Sequence, residues 1–391
     1  MAEHTVPIHL RNRRRGLRVR PMPQTVILDK KLPQLVPSLE AISQTSCPLF
    51  SLLPAEIRNH IYALALESDD YSTNENSDAL YPRNTFYYRP GYKQPKRMQT
   101  ALLQTCQQIY DEASLLPIAI NEHTFWFYRA PPHVNDASLP HKYFRRMTLK
   151  QRYQVQHIHF FVQQYFLEDH PGWSRAWAGI DLNESGPVAP GKCRVLPKKI
   201  TFTFRHTDWW YWENDDPLGM NPFRCGRTRA HEMDGPVGPR SEFAWGNQFS
   251  LIQSLEEVVI EFETIMRKRE QLDGIVERAL GWKFPMKVEE SVYLVADPNS
   301  RSSYSWIGAK EGDLKENRLS PPQVIGGDSE PESSTTQELK HTHVVPTLKP
   351  FDLQSALKTG DGTGPSQLRF DPKTEEEFYV VFLTWRKHKV D

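Results

Sequence analysis

The sequence has little cysteine, no net charge and no long apolar run. Its four cysteines, Cys47, Cys106, Cys193 and Cys225, lie far apart among 391 residues and form no Cys-x-x-Cys pair, which suits a reducing compartment. The 48 basic residues are balanced by 48 acidic residues, so the chain has no overall field to attract nucleic acid or an anionic membrane. Because no segment resembles a membrane span or a signal peptide, we expect an intracellular protein, nuclear or cytoplasmic, without membrane contact.

Catalytic motifs are also lacking. The sequence contains no Gly-x-Ser-x-Gly, no His-Glu-x-x-His and no cysteine with a motif-placed histidine. The glycine-rich run 360–365 lacks the Lys-Ser/Thr ending of a phosphate-binding loop and ends on Pro365, which favours a plain turn. We therefore expect a protein that is not an enzyme and that holds no cofactor.

Histidines come nearest to a metal-binding pattern, because two residues spaced by two positions share one face of an extended segment. The candidate ligands are His157, His159, His206, Asp208, His341 and His343. Their spacing matches no established zinc signature, and no glutamate stands where a general base is needed. We interpret them as structural or surface residues and expect no metal; an enzyme with a dispersed histidine-based site is the alternative.

Two segments predict amphipathic helices. In the first, Leu53, Ile57, Ile61 and Leu64 recur at helical spacing, and Pro54 suits the first helical turn. In the second, apolar side chains follow the same period over 102–113. Aromatic and β-branched residues over 124–128 then predict a strand. We expect the two helices and this strand to share one small core, with Ile57 and Ile61 facing the second helix.

The same two segments carry a resemblance. Leu53-Pro54-Ala55-Glu56-Ile57-Arg58 and the block from Leu102 to Ala113, with its Thr-Cys-x-Gln-Ile-Tyr-x-Glu-Ala pattern, resemble the F-box-like domain of a large fungal family of largely uncharacterised proteins. The resemblance spans about residues 46 to 128. A second Glu-x-Arg motif is expected in the family, and this chain has Gln107-Gln108-Ile109-Tyr110 in that region, as in a sister branch. The resemblance implies docking on the Skp-type adaptor of a cullin ubiquitin ligase.

Composition divides the chain into three parts. Residues 1–45 are predicted to be a disordered basic arm, residues 46–130 the F-box-like module with an insertion at 68–99, and residues 131–391 an irregular α/β domain with a disordered loop at 297–347. The arm places six arginines within ten residues: Arg11, Arg13, Arg14, Arg15, Arg18 and Arg20. They indicate a nuclear import signal, a phosphate-binding arm or a solvated tail.

The predicted fold class is α+β. Alternation of apolar and polar residues predicts strands at 156–162, 199–206 and 255–262, followed by a helix, a strand at 291–295 and a closing buried strand at 377–385. The lead into the third strand, at 249–255, resembles a degenerate leucine-rich repeat, although no fixed period holds. We therefore expect a helical module followed by an irregular α/β sheet domain that resembles a degenerate leucine-rich repeat, with long disordered loops.

Two groups of residues are candidates for partner binding. Leu49, Phe50 and Leu52 precede the first helix, outside its predicted core face; the alternative is that the insertion covers them. Trp209, Trp210 and Trp212 form an aromatic run of the kind found at interface hot spots, and the alternative is packing inside the protein.

From these observations we expect a non-enzymatic protein-interaction protein. Its partner is a protein, and the Skp-type adaptor is the partner that the resemblance implies. A nucleic-acid-associated factor acting through the arginine-rich arm is an alternative to this function, beside the histidine-based enzyme.

Overall fold

The computed structural model describes residues 46–68, 81–96, 98–132, 140–168, 170–226, 241–287, 290–310 and 373–389, with the isolated positions 44, 234, 312, 314, 349–350 and 371. Over these residues the protein is α+β, as the sequence predicts. The described helices are short, and not one has the length and apolarity needed to cross a membrane.

Nine α-helices lie within the described residues. They are α1 (Pro48–Ser51), α2 (Ala55–Leu66), α3 (Gln107–Ala113), α4 (Leu116–Ile120), α5 (Pro140–Arg145), α6 (Leu149–Arg152), α7 (Gln164–Glu168), α8 (His170–Ala176) and α9 (Arg269–Ala279). Short 3₁₀ helices occupy Ala101–Gln104, His206–Asp208, Trp212–Asn214, Ser241–Phe243, Trp245–Leu251 and Met266–Lys268. Pro54 immediately precedes α2, where its fixed φ suits a helix start.

One mixed sheet of eight strands dominates the fold. The strands within the described residues are β1 (Glu122–Trp126), β2 (His157–Phe161), β3 (Ile180–Asp181), β4 (Cys193–Arg194), β5 (Lys199–Phe204), β6 (Glu257–Ile265), β7 (Lys283–Lys287), β8 (Val292–Ala309), β9 (Lys349–Pro350) and β10 (Glu375–Lys389). The main sheet has the order β1-β2-β5-β6-β10-β8-β7, with β9 beside β8, while β3 and β4 form a separate pair.

The sheet has a parallel half and an antiparallel half. Strands β1, β2, β5 and β6 are parallel neighbours in chain order. Strand β10 then lies between β6 and β8 and is antiparallel to both. The prediction that an apolar C-terminal strand completes the sheet is confirmed. This strand is central, which explains why six of its side chains between Phe378 and Trp385 are buried.

The two faces of the sheet differ because side chains alternate along each strand. In β5, Ile200, Phe202 and Phe204 enter the main core, whereas Thr201 and Thr203 point to the opposite face. The opposite face carries polar and charged residues in register. Five of these residues are register partners on neighbouring strands and lie side by side across the sheet: Glu122, His157, Lys199, Glu257 and Arg386.

The helical module has a core of its own, and that core differs from the predicted one. Tyr62 and Leu66 of α2 pack against Ile109 and Ala113 of α3. The predicted core stripe of Ile57, Ile61 and Leu64 lies on the exposed side of α2. That prediction was wrong because residues 58, 62 and 66 form a second stripe with the same helical period, and α3 packs against this one.

Two predicted boundaries also change. The strand near 124–128, expected in the core of the module, is β1, which pairs with β2 of the main sheet. Residues 297–309, expected at the start of a disordered loop, belong to β8, where Trp306 stacks on Phe378 with ring centroids 4.7 Å apart. The serine-rich composition of this segment favoured a loop, although its aromatic residues Tyr304 and Trp306 alternate as in a strand. The remainder of the 297–347 loop lies almost entirely outside the described residues.

Candidate functional site

An ion pair joins the two segments that carry the F-box-like resemblance. Arg58 of the first donates from Nε and Nη2 to the two carboxylate oxygens of Glu112 in the second, at 3.0 and 2.8 Å. The Tyr62 hydroxyl donates to the same carboxylate at 2.9 Å, and Arg58 also donates to the Leu53 carbonyl. A two-pronged arginine–carboxylate pair fixes the angle between groups as well as their distance. It therefore sets how α2 lies on α3.

The titration of this cluster follows from its contacts. The hydrogen bond from Arg58 lowers the pKa of Glu112. Burial, reinforced by Glu112, raises the pKa of Tyr62 to about 12. The carboxylate thus stays ionised and the phenol stays protonated across the neutral range, so each keeps its role as acceptor or donor.

Replacing Glu112 with alanine is expected to loosen the helical module. The change removes the acceptor shared by Arg58 and Tyr62, leaving the buried Tyr62 hydroxyl without that bond. We expect faster proteolysis within residues 46–68 and a melting temperature lower by several degrees. Glu67→Ala, at an exposed position just after α2, is the matched control, and equal proteolysis of the two variants would contradict the role of the ion pair.

An apolar stripe remains exposed on α2. Ile57, Ile61 and Leu64 are 49, 40 and 64 % exposed, and their spacing places them on one side of the helix. Isolated exposed apolar residues are common, but a run of three along one helix face is typical of a surface that binds another protein. This stripe is the candidate interaction surface of the module.

The predicted partner residues before α2 divide into two groups. Leu49 and Phe50 pack against the core of the module, and the Arg58 guanidinium lies 5.5 Å from the centre of the Phe50 ring. Leu52 is 76 % exposed and remains a candidate contact. The alternative was that aromatic residues of the insertion cover Leu49, Phe50 and Leu52. Three of those aromatic residues, Tyr81, Tyr87 and Tyr92, instead pack against β1 and β2.

The tryptophan run is used inside the protein. Trp209 and Trp212 are buried in the main core, and Trp209 Nε1 donates to the Glu263 carbonyl at 2.8 Å. Trp210 is half-buried, and its Nε1 donates to Glu168 at 2.6 Å. These contacts favour the packing alternative over a partner-binding patch for Trp209, Trp210 and Trp212.

Residues 81–96, here called the strap, cross the polar face of the sheet. The Arg89 guanidinium, almost fully buried, forms ion pairs with Glu261 and Glu263 of β6, the latter at 3.3 Å. Arg205, after β5, donates to the Phe86 carbonyl of the strap at 3.0 Å while its other nitrogens bind Asp208. The described part of the insertion is therefore attached to the sheet.

A second polar cluster joins the strap to β1 and β2. The Tyr92 hydroxyl donates to Glu122 at 2.5 Å and lies 2.8 Å from His159 Nδ1, while His159 Nε2 is 2.7 Å from the Thr203 hydroxyl. Thr203 in turn donates to Glu261. One chain of hydrogen bonds thus runs from the edge strand to the buried Arg89 pair.

The pKa values in this cluster are perturbed in opposite directions. Although burial opposes ionisation, His159, Lys96 and Tyr92 hold the pKa of Glu122 well below its usual range. Burial lowers the pKa of His157 to about 4, against the attraction of Glu122. Burial raises the pKa of Tyr92 well above its ordinary value. Such shifts mark functional sites and structural networks alike.

A cavity of about 310 Å³ adjoins this cluster. It lies between the strap, the end of α2, β1 and α5, and Glu122, Tyr92 and Lys96 form part of its wall. Tyrosine, tryptophan and proline side chains supply half of the remaining lining residues. This mixture of apolar surface and a few convergent polar groups is typical of a ligand site.

The predicted histidine ligands do not come together. His157 and His159 bond to Thr201 and Thr203, whereas His206 lies beyond the end of β5, in the 3₁₀ helix His206–Asp208. Asp208 is held by Arg205. In the part of the chain that the structure describes, no three His, Cys, Asp or Glu side chains are placed to hold a metal ion. His341, His343 and the glycine run 360–365 lie outside the described residues.

The six arginines of the predicted basic arm, Arg11, Arg13, Arg14, Arg15, Arg18 and Arg20, also lie outside the described residues. Sequence reasoning missed Arg89, Tyr92, Glu122 and Glu261. Alternation in β6 placed Glu261 and Glu263 on the polar face, which was the available signal. No local pattern indicated which cation would pair with them.

Comparison with known proteins yields no relative. No family model matches the chain, and no curated protein or solved structure matches it at a significant level. What the protein does is therefore inferred from its own residues and their contacts.

Proposed function

We propose that the protein is a non-enzymatic interaction protein whose helical module docks on the Skp-type adaptor of a cullin ubiquitin ligase. The observation that carries the proposal is the exposed stripe of Ile57, Ile61 and Leu64 on α2. In true F-box proteins such a helical module binds the adaptor, and the resemblance of the two motifs to an F-box-like family permits the same role here. The sheet domain would then select the substrate.

Two further contacts support this role. Arg58 and Glu112 belong to the two motifs that carry the resemblance, and they hold α2 against α3. The strap binds the sheet through Arg89 and Arg205, so its described residues leave the stripe exposed. Four parallel strands in chain order also support a kinship of the sheet with leucine-rich repeats.

The test is binding of the full chain to the purified Skp-type adaptor, for the wild type and for an Ile57→Glu/Ile61→Glu variant. Because both side chains are largely exposed, we expect the variant to keep its circular dichroism spectrum and to melt within a few degrees of the wild type. Its affinity should fall at least about tenfold, since two charges would replace apolar contacts.

The matched control is Leu251→Glu, which places a charge at an apolar position of similar exposure in the sheet domain. It should bind the adaptor as the wild type does. A folded wild type that does not bind would refute the adaptor role. A double variant that unfolds would instead show that the stripe is part of a core.

The alternatives have less support. Both ring nitrogens of His159 are engaged within the protein, and His206 lies outside the sheet in a 3₁₀ helix. The described residues bring no three His, Cys, Asp or Glu side chains together to hold a metal ion, so the histidine-based enzyme has no assembled metal centre among them. A nucleic-acid-associated role depends on the arginine-rich arm, which lies outside them.

A further inference from the structure

The cavity beside the strap already holds a positive charge. The Lys96 ammonium lies 4.4 Å from the centre of the Tyr92 ring and 3.5 Å from Glu122 Oε1. An aromatic face and a carboxylate together form a site for an organic cation, since both attract positive charge and the ring also packs against the attached carbons. Lys96 thus shows where such a charge is bound.

Lys96 is held loosely in this position. Its distance to Glu122 is at the outer limit of a hydrogen bond, and its side chain is 32 % exposed. Lysine carries a flexible four-carbon stem, which can swing into solvent at little cost. Another cation can therefore take its place without disturbing the fold.

Glu122 is held much more firmly. Its carboxylate accepts hydrogen bonds from the Tyr92 hydroxyl and from Thr124 at 2.5 and 2.8 Å, and it lies 2.9 Å from His159 Nδ1. These contacts fix the orientation of the carboxylate and favour its charged form. The acceptor is thus preorganised for a cation rather than formed by it.

The remaining wall suits the apolar part of a ligand. Trp126, Tyr143, Tyr81, Pro95 and Pro131 supply rings and aliphatic surface, and Gln94 and Asn121 add neutral polar groups. At about 310 Å³ the cavity has room for an aliphatic chain as well as for its charged end. Its walls thus match a chain of methylene groups that ends in a cation.

We propose that this cavity binds an ammonium or guanidinium group carried on an aliphatic chain, which displaces Lys96 from Glu122 and the Tyr92 ring. The chemistry is shared by a free alkylamine and by the lysine or arginine side chain of a peptide. The site is separate from the stripe on α2 and does not depend on adaptor binding.

The test uses isothermal titration calorimetry on the full chain with four probes. These are n-pentylammonium, N-acetyl-lysine amide, N-acetyl-arginine amide and, as the uncharged analogue, N-acetyl-norleucine amide. Replacing Lys96 with methionine removes the internal competitor, so this variant should bind the cationic probes about tenfold more tightly than the wild type. Glu122→Gln should weaken their binding by at least the same factor, and the norleucine probe should not bind.

Lys198→Met is the matched control, because Lys198 is an exposed lysine paired with Glu256 at 3.4 Å outside the cavity. It should bind the probes as the wild type does. Tighter binding of the blocked residues than of n-pentylammonium supports the site and assigns it to a peptide side chain, and the reverse order supports the site and assigns it to a free amine.

Three outcomes would overturn the proposal: no gain in affinity in Lys96→Met, an equal gain in Lys198→Met, or equal binding of the norleucine probe. Because Lys96 is partly exposed, its variant should fold, and the test does not depend on the stability of Glu122→Gln.

Discussion

Replacing Arg89 with methionine is expected to lower the free energy of unfolding by about 3–5 kcal/mol. Arg89 is nearly buried and pairs with Glu261 and Glu263, which are also buried. Without the guanidinium, two neighbouring carboxylates would remain in the protein interior. Burial and the repulsion of Glu261 already raise the pKa of Glu263, against the attraction of Arg89, so losing Arg89 should force proton uptake or unfolding.

Urea denaturation followed by tryptophan fluorescence measures this effect. Arg83→Met is the matched control: Arg83 lies in the same strap, but its guanidinium is 42 % exposed and 4.0 Å from Glu375, so its pair with Glu375 should contribute less than about 1 kcal/mol. Adding Glu261→Gln to the Arg89 variant should restore part of the lost stability, because it removes one of the two uncompensated charges. Equal denaturation midpoints for the Arg89 and Arg83 variants would show that the buried pair is not what holds the strap.

The protein is expected to lose stability steadily as the pH falls from about 6.5 to about 3. Burial lowers the pKa of His157 to about 4 and that of His206 to about 3, whereas both titrate near 6.5 in an unfolded chain. At pH values between these folded-state and unfolded-state pKa values, the unfolded chain binds more protons at the two histidines than the folded protein does. Acid therefore favours unfolding, and the stabilisation is complete only above about pH 6.5.

Two glutamates change this pH dependence of stability in opposite directions. The lowered pKa of Glu122 adds to the acid sensitivity, whereas the raised pKa of Glu263 opposes it. With two histidines contributing, the net loss should be on the order of several kcal/mol. Thermal melting between pH 8 and pH 4 tests this, and His206→Gln should flatten the dependence. His60→Gln, at an exposed position of α2, is the matched control; a melting temperature independent of pH would contradict the expectation.

The strap is attached to three strands of the sheet by polar contacts. It begins and ends near the helical module in sequence, yet it bonds to β6 through Arg89 and to β1 and β2 through Tyr92. Because these bonds involve buried or partly buried charges, they require a defined geometry. The strap is therefore fixed to the polar face of the sheet.

The candidate interaction surface shows the limit of periodicity. The period of α2 predicted the helix and its start correctly, but it was compatible with either Ile57 and Ile61 or Tyr62 and Leu66 as the buried side. Arg58 decides between them, because it lies on the same side as Tyr62 and meets Glu112 of α3. Hydrophobicity alone favoured the isoleucines, whereas the polar contacts placed the tyrosine inside.

The sequence was enough to predict the α+β class, α2, most strands of the main sheet and the closing strand, because alternation and helical period act over a few neighbouring residues. The second predicted helix, 102–113, was only partly right: extended backbone at Cys106 separates the 3₁₀ helix Ala101–Gln104 from α3. Tertiary structure alone decided which side of α2 is exposed, that the tryptophan run is internal, and that Arg89 pairs with Glu261 across 172 positions. The periodicity of a helix or strand determines on which face of that element a side chain lies, but it does not determine which distant residue that side chain contacts. That choice depends on the path of the whole chain, and it is the reason the cavity beside Glu122 could not be foreseen.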